Sequence, residues 1–339
     1  MPKVSVICTN YNKGKWIADA IDSFLRQKTT FEFEIILVDD CSTDESVDII
    51  RDYERRYPEQ IRTFFNAENQ GIAKTWVAIC KEARGQYIAR CDGDDYWIDD
   101  EKLQKQVEIL DKSETSSWSC SDFDIISESG EFRHKEAIKN GIIRKMSSFE
   151  EILAFRGMTM SSTWLVDRKL MLEVNEAISP DTVDDTFCLQ LELFTKTELT
   201  FLSEATTVYR LHEGSDSHPA SVEKISKRFE KLQETQEEYL EKYYSLIDFN
   251  VLTRYLFLEN TEHEKILALR KQELATQLNN AQAILNELLE ERNKLRLTEE
   301  NLKIQIAERD HWLNEYNKVV HSKRWIISTK IINLFRRNR

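Results

Sequence analysis

Strand-length apolar runs and runs with helical spacing alternate along the first hundred residues. Residues 4–9 form the first strand-like run. Residues 15–27 follow, with Trp16, Ile17, Ala20, Ile21, Phe24 and Leu25 at the spacing of one helix face. The pair repeats as a strand at 33–38 and a helix from Ser42 or Thr43 to Tyr57, stopped by Pro58. It repeats again as a strand at 61–65 and a helix over 71–83, broken at Gly85, before a fourth strand at 87–91. This alternation predicts a mostly parallel sheet with helices on both faces. Ligands of such sheets sit beyond the carboxyl ends of the strands. Three polar segments fall there: Thr9 to Asn12, Asp39-Asp40, and Asp92 to Asp95.

The middle of the chain is less regular. It reads as a strand at 118–127 with a turn at Gly130, a helix at 149–155 capped by Ser147 or Ser148, and a strand at 162–166. A helix at 184–194 and strands at 199–202 and 207–211 follow. This stretch predicts a mixed lobe closing the α/β core.

Beyond residue 220 the pattern changes to charged helix, with no glycine after Gly214 and no proline after Pro219. Leu267, Leu274, Ala281, Leu288, Leu295 and Leu302 recur every seven residues, and the register continues to Tyr316. Leu278, Leu285, Ile306 and Leu313 form the second seam, interrupted by Arg292 and Glu299. A heptad sustained this long predicts a coiled coil, hence a homodimer or higher homo-oligomer. The organisation read from the sequence is an α/β domain over 1–218, a helical linker region over 219–262, a coiled coil over 263–316 and a basic amphipathic tail over 317–339.

Charge sharpens this division. The chain carries a net charge of -13, yet residues 323–339 hold six Lys/Arg and no acid. The rest therefore balances 41 basic against 60 acidic residues, a net of about −19, which speaks against nucleic acid as a partner. In the tail, Ile327, Ile331, Leu334 and Phe335 share one helix face between basic ends, a pattern suited to lying on an anionic membrane surface. The six cysteines form no Cys-x-x-Cys pair, the first strand leaves no room for a signal peptide, and no apolar run approaches membrane-spanning length. Together these features predict a cytoplasmic protein, peripheral on the inner face of the cell membrane.

The acidic turn is the centre of the candidate chemistry. Asp92, Asp94 and Asp95 crowd one turn at the end of a buried strand, where like charges resist joint ionisation. A hard divalent cation held by oxygens resolves such crowding, although an acidic surface turn has the same composition.

Four motifs in order carry a resemblance: Val4 to Asn12, Ile36 to Asp44, Asn69-Gln70-Gly71, and Gly85 to Asp95. Together they resemble the family-2 glycosyltransferases of GT-A fold. The resemblance is close over about the first hundred residues and looser to about residue 218. It implies a Rossmann-like, mostly parallel sheet and an inverting, metal-dependent transferase. Such an enzyme would move a hexose or deoxyhexose from a UDP- or dTDP-sugar to an acceptor hydroxyl, on a glycan or lipid-linked glycan of a cell-surface polysaccharide. It also implies roles for residues. Tyr11 stacks on the base, Asp40 accepts from its N3–H, and Asp39 supports the loop. Asp92 meets sugar or ribose hydroxyls, and Thr9, Asn69 and Gly71 line the nucleotide site. Asp94 is the direct ligand of Mn2+ or Mg2+, with Asp95 behind it. Asp185, after Asp184, matches the catalytic base. Tyr209-Arg210-Leu211-His212, followed by Gly214 and Ser215, matches a second family pattern, with His212 on the metal or diphosphate and Arg210 on phosphate. The chain departs from the family after Gly71, where many relatives carry an Ala-Arg-Asn and this one has Ala73-Lys74-Thr75-Trp76. Lys74 is the residue available as a phosphate-facing cation, with contacts unlike those of Arg. Two other readings compete. A sugar-nucleotide pyrophosphorylase would need a Gly-rich phosphate loop where the chain has Asn10-Tyr11-Asn12-Lys13-Gly14. A catalytically inactive scaffold that assembles a polysaccharide-synthesis complex through its coiled coil would not need Asp94, Asp185 and His212.

Overall fold

The computed structural model describes residues 1–180, 182, 184–212, 221–322, 330 and 333. Residues 323–329, most of 331–339 and the segment 213–220, with Ser215, lie outside the described residues. The chain divides into two units, Met1–Asn260 and Thr261–Arg339.

In the first unit the alternation becomes β1 (Val4–Asn10), α1 (Ile17–Leu25), β2 (Phe33–Asp39), α2 (Ser46–Arg56), β3 (Ile61–Phe65), α3 (Ile72–Cys80) and β4 (Tyr87–Asp92). Then follow β5 (Tyr96–Trp97), α4 (Lys102–Lys112), β6 (Trp118–Ser127), β7 (Phe132–His134), α5 (Phe149–Phe155), a 3-10 turn (Ser161–Thr163), β8 (Leu165–Asp167), α6 (Arg168–Asn175), α7 (Asp185–Lys196), β9 (Leu199–Leu211) and α8 (Val222–Lys242). Among the described residues the strands form one sheet in the order β3-β2-β1-β4-β8-β6-β9-β5, with β7 on β6. β3, β2, β1 and β4 are mutually parallel, and β8 joins β4 antiparallel.

Period-two alternation places the core on both faces of the sheet. Val4, Val6, Cys8, Ile35 and Leu37 pack with Ile17, Ile21 and Phe24 of α1 and Leu103, Val107 and Leu110 of α4. Ile7, Ile36, Val38 and Ile88 pack the other way, with Trp76 and Ile79 of α3 and Phe187, Leu189, Leu191 and Leu193 near the start and middle of α7. Leu232, Tyr239, Ile247 and Leu252 join that second cluster, so residues 222–260 pack on the body. Gln236 Nε2 donates to Leu153 O, and Lys242 and Tyr243 bind Glu192, each at 2.6 Å.

Several elements differ from the sequence reading, and α6, β5 and β7 had no counterpart in it. The strand expected over 162–166 is the 3-10 turn followed by the short β8. The strands expected at 199–202 and 207–211 are one strand, β9. It pairs with β6 through a register shift where Ser203 and Glu204 face solvent, so the polar interruption is a bulge and not an end. α4 had no counterpart in the reading. Its buried apolar residues are the sparse set Leu103, Val107 and Leu110, and the helix buries Lys102 and Gln106 as well. Lys102 Nζ donates to Gln106 Oε1 at 2.6 Å and sits 4.4 Å from the Trp97 ring centre. Burial pulls its pKa down to about 7.

α9 (Phe249–Val320) is a single helix of 72 residues. Within the second unit its heptad leucines face solvent, as Leu267, Leu274, Leu288 and Leu295 are all more than half exposed. No helix among the described residues is long and apolar enough to cross a membrane.

Candidate active site

Sheet register brings the polar strand ends together. Thr9 pairs with Asp92 across β1 and β4, and Asn10 pairs with Asp39 across β1 and β2. Thr9 Oγ1 donates to Asp92 Oδ1 at 2.8 Å. Asn10 Nδ2 donates to Asp39 Oδ1 at 2.7 Å, and Asp39 also accepts from Ser42 N at 2.8 Å and Ser42 Oγ at 2.6 Å. Asp39 is thus occupied in shaping the loop after β2. The turn after β4 closes on β1: Gly93 N donates to Thr9 O at 3.0 Å. A Cβ at Gly93 would stand 2.8 Å from Asn10 Oδ1 and 3.0 Å from Ile17 Cδ1, so only glycine permits this approach.

The three carboxylates of the turn then diverge in environment. Asp92 stays partly exposed. Asp94 Oδ2 meets Lys13 Nζ at 2.7 Å and His212 Nε2 at 2.9 Å. Burial works against its charge, but the His212 hydrogen bond and the Lys13 ammonium hold its pKa down to about 2. Asp95 is fully buried, accepting from Ser162 Oγ at 2.6 Å and Arg210 N at 3.1 Å, and burial beside Asp94 pushes its pKa well up. β9 delivers the rest. Arg210 Nε donates to Asp94 O at 3.1 Å and its other end binds Asp19 Oδ2 at 3.0 Å. The His212 ring lies 4.5 Å from that of Trp16. Arg210 therefore braces the acidic turn from behind.

Among the described residues no three acidic, imidazole or thiol side chains converge as a ready cage for a metal ion. Asp94 and His212 converge as a pair. A small divalent ion is commonly held by one or two carboxylates with substrate phosphates and water completing its shell, and the pair fits an ion bound that way.

Asp184 and Asp185 separate in role. Asp184 is the N-cap of α7: its Oδ1 accepts from Phe187 N at 3.0 Å and Thr186 Oγ1 at 2.7 Å, while Arg228 of α8 binds its other oxygen. Asp185, which a capping role would also have explained, is buried and turned toward β4, where Arg90 Nη1 donates to Asp185 Oδ2 at 2.6 Å. Burial pushes the Asp185 pKa up despite the pull of Arg90. Asp40 holds the loop before α3, accepting from Asn66 Nδ2 at 2.7 Å, Gln70 N at 2.9 Å and Gly71 N at 2.9 Å. Asn69 Oδ1 shares the Gly71 N–H at 3.0 Å, and Gly71 takes φ 82, where glycine is favoured. Tyr11 stands exposed just past β1. Lys74 is exposed on α3, in the wall of a cavity of about 560 Å³ lined also by Lys81, Asn175 and Glu176, none of which belongs to the acidic turn.

Lys13 and Arg90 also lie against the site, neither singled out from the sequence. Arg90 had a signal: a lone charge between Ala89 and Cys91 in a strand otherwise buried on both faces. Lys13 and Ser162 had none, because only folding brings positions 13, 94, 162 and 212 together.

The fold and the arrangement of the strand ends are those of the GT-A type. The Staphylococcus aureus TarS structure, 1–349 with UDP-GlcNAc, superposes with a TM-score of 0.57 at 20% identity, over 75% of this chain and 71% of that one. GalNAc-T7 with UDP, GalNAc and Mn2+ gives a TM-score of 0.51 at 15% identity, over 68% and 48% of the two chains. Residues 5–170, just under half of the chain, match the family model Glycosyl transferase family 2. TuaG of Bacillus subtilis, named for teichuronic acid biosynthesis, is 35% identical over 153 residues, 42% of this chain and 59% of its own. An uncharacterized Mycobacterium tuberculosis protein is 41% identical over 109 residues, 32% of each chain. The matches thus span less than two thirds of the length of these curated relatives.

Proposed function

We propose that the chain transfers a sugar from a nucleoside diphosphate to an acceptor hydroxyl with inversion at the anomeric carbon. The observation that carries this reading is Asp185: relieved of capping by Asp184, it lies buried one guanidinium away from Asp92. The acceptor oxygen attacks the anomeric carbon, the bond from that carbon to the diphosphate oxygen breaks, and Asp185 takes the hydroxyl proton. Tyr11 stacks on the base. Asp40 Oδ2 retains acceptor capacity for the base N3–H beyond its bond from Gly71. Thr9 orients Asp92 toward the sugar or ribose hydroxyls, and Asn69 and Gly71 shape the loop beside the base. Arg210 serves the donor indirectly, through the turn it braces. Asp94 and His212 would hold Mn2+ or Mg2+, which when bound neutralises charge on the departing diphosphate. UDP-GlcNAc in TarS and UDP with Mn2+ in GalNAc-T7 support a UDP-sugar and a divalent ion. TuaG and the poly(ribitol-phosphate) transferase TarS support an acceptor of the surface-glycopolymer class. A panel of UDP- and dTDP-sugars, scored for hydrolysis with Mn2+, tests the reading. Turnover of none of them would overturn it.

Two further parts of the proposal concern assembly. We assign residues 263–316 to a coiled coil between copies of this chain, because α9 leaves its heptad leucines in solvent. The full chain should scatter light as a dimer or larger, and a chain ending near residue 262 as a monomer that still hydrolyses donor. A full-length monomer would refute the assignment. We assign the 323–339 tail the role of an anchor on anionic lipid at the inner face of the cell membrane, on its sequence pattern. Co-sedimentation with anionic vesicles should be salt-sensitive and vanish when 323–339 is deleted. Equal binding by both forms would exclude the tail as anchor.

A further inference from the structure

Arg90 is a cation in a place where cations are rarely found. It sits mid-sheet on β4, only 2% exposed, with its guanidinium 4.5 Å from the ring centre of Trp76 on α3. One nitrogen, Nη1, donates to Asp185 Oδ2 at 2.6 Å, and another, Nε, reaches Asp92 Oδ1 at 3.4 Å. A fixed planar fork can hold two carboxylates at a set separation, which a lysine ammonium on its flexible stem cannot. We propose that Arg90 is a positioning residue: it ties the acceptor-side carboxylate of Asp185 to the donor-side carboxylate of Asp92, and Trp76 keeps the fork in plane. The proposal rests on Asp185 being the base.

The charged and titratable groups that face Asp185 are Arg90 and Asp92 from β4, Asp184 beside it on α7, and the thiols of Cys80 on α3 and Cys188 on α7. Arg90 is the one cation among these. Both cysteines are buried thiols with pKa values pushed up to about 12, so they add no charge near neutral pH. Without Arg90, burial and the neighbouring carboxylates would act on Asp185 unopposed. Its ionised form, the form that accepts a proton, would be reached only at higher pH.

The test uses the full chain and the sugar nucleotide selected by the donor panel. Turnover is measured against pH for the parent, Arg90→Gln, Arg90→Lys and Asp185→Asn, with binding of UDP or dTDP measured beside it. Arg90→Gln is expected to lower kcat at least about tenfold and to move the acidic limb up by about 1–3 pH units. Arg90→Lys keeps the charge, so its limb stays in place while kcat falls, and both variants hold nucleoside diphosphate within about threefold of the parent affinity. An unmoved limb in Arg90→Gln overturns the proposal. Should that variant not fold, Arg90→Lys decides: kcat falling with nucleotide affinity kept supports the positioning role, and the two falling together refute it. Retained turnover in Asp185→Asn sinks the base itself, separately from Arg90.

Discussion

Asp94→Asn is expected to abolish sugar transfer while leaving the fold intact. The substitution keeps the size of the side chain and removes the charge that both Lys13 and His212 address. If Asp94 holds a divalent ion on the donor diphosphate, the loss is several kcal/mol at the transition state, on the order of a thousandfold in kcat. The fold should survive because Gly93, Asp95 and Arg210 hold the turn through contacts that do not use the Asp94 carboxylate: Gly93 N to Thr9 O, Asp95 to Ser162, and Arg210 to the Asp94 carbonyl. Melting temperature and turnover, measured together, separate the two effects. A chelator should reproduce the variant in the parent enzyme, with Mn2+ or Mg2+ restoring turnover. Full turnover in chelator would remove the metal from the site.

Asp185→Asn should be as damaging to turnover by a different route. General-base assistance is worth about two to four powers of ten, and the amide cannot accept the proton. Nucleotide affinity should stay within about threefold, because the base meets the acceptor and not the donor. Stability should fall at neutral pH, because the amide leaves the buried Arg90 guanidinium without its opposing charge. Burial gives Asp185 a folded pKa above its unfolded value, so the native state binds the proton more tightly than the unfolded chain. The stability this group contributes is therefore present at low pH and is lost as pH rises from the unfolded pKa through the folded one. The neutral amide avoids that loss, but the unpaired Arg90 cation it leaves behind outweighs the gain. In the parent, the same shift puts the acidic limb of turnover above the ordinary Asp value of about 3.9. Calorimetric nucleotide binding that collapses along with turnover would make Asp185 structural instead of catalytic.

Much of the α/β body was legible because its signals are local. Apolar residues two apart in the strands and three or four apart in the helices are set by backbone period alone. The Asp92–Asp95 turn, the Asp184-Asp185 pair and the 267–316 heptads are likewise contiguous or regularly spaced. Elements with sparse or mixed signals escaped: α4, whose helix face includes the buried Lys102 and Gln106, and the bulge that makes one strand of residues 199–211.

The sequence by itself determined which strands end in carboxylates, and hence which end of the sheet bears the chemistry. Only the tertiary structure decided what each carboxylate does. Asp184 and Asp185 are adjacent in the chain and equally able to cap a helix. Asp184 became the cap and Asp185 the buried partner of Arg90 because α7 packs against β4 with the Asp185 side facing in. Asp94 and Asp95 are neighbours pushed to opposite protonation behaviour, one by Lys13 and His212, the other by burial beside Asp94. The physical reason is that carboxylate chemistry depends on burial and on charges within a few ångströms. Those charges come from positions 13, 90 and 212, far apart in the chain and joined only by the fold.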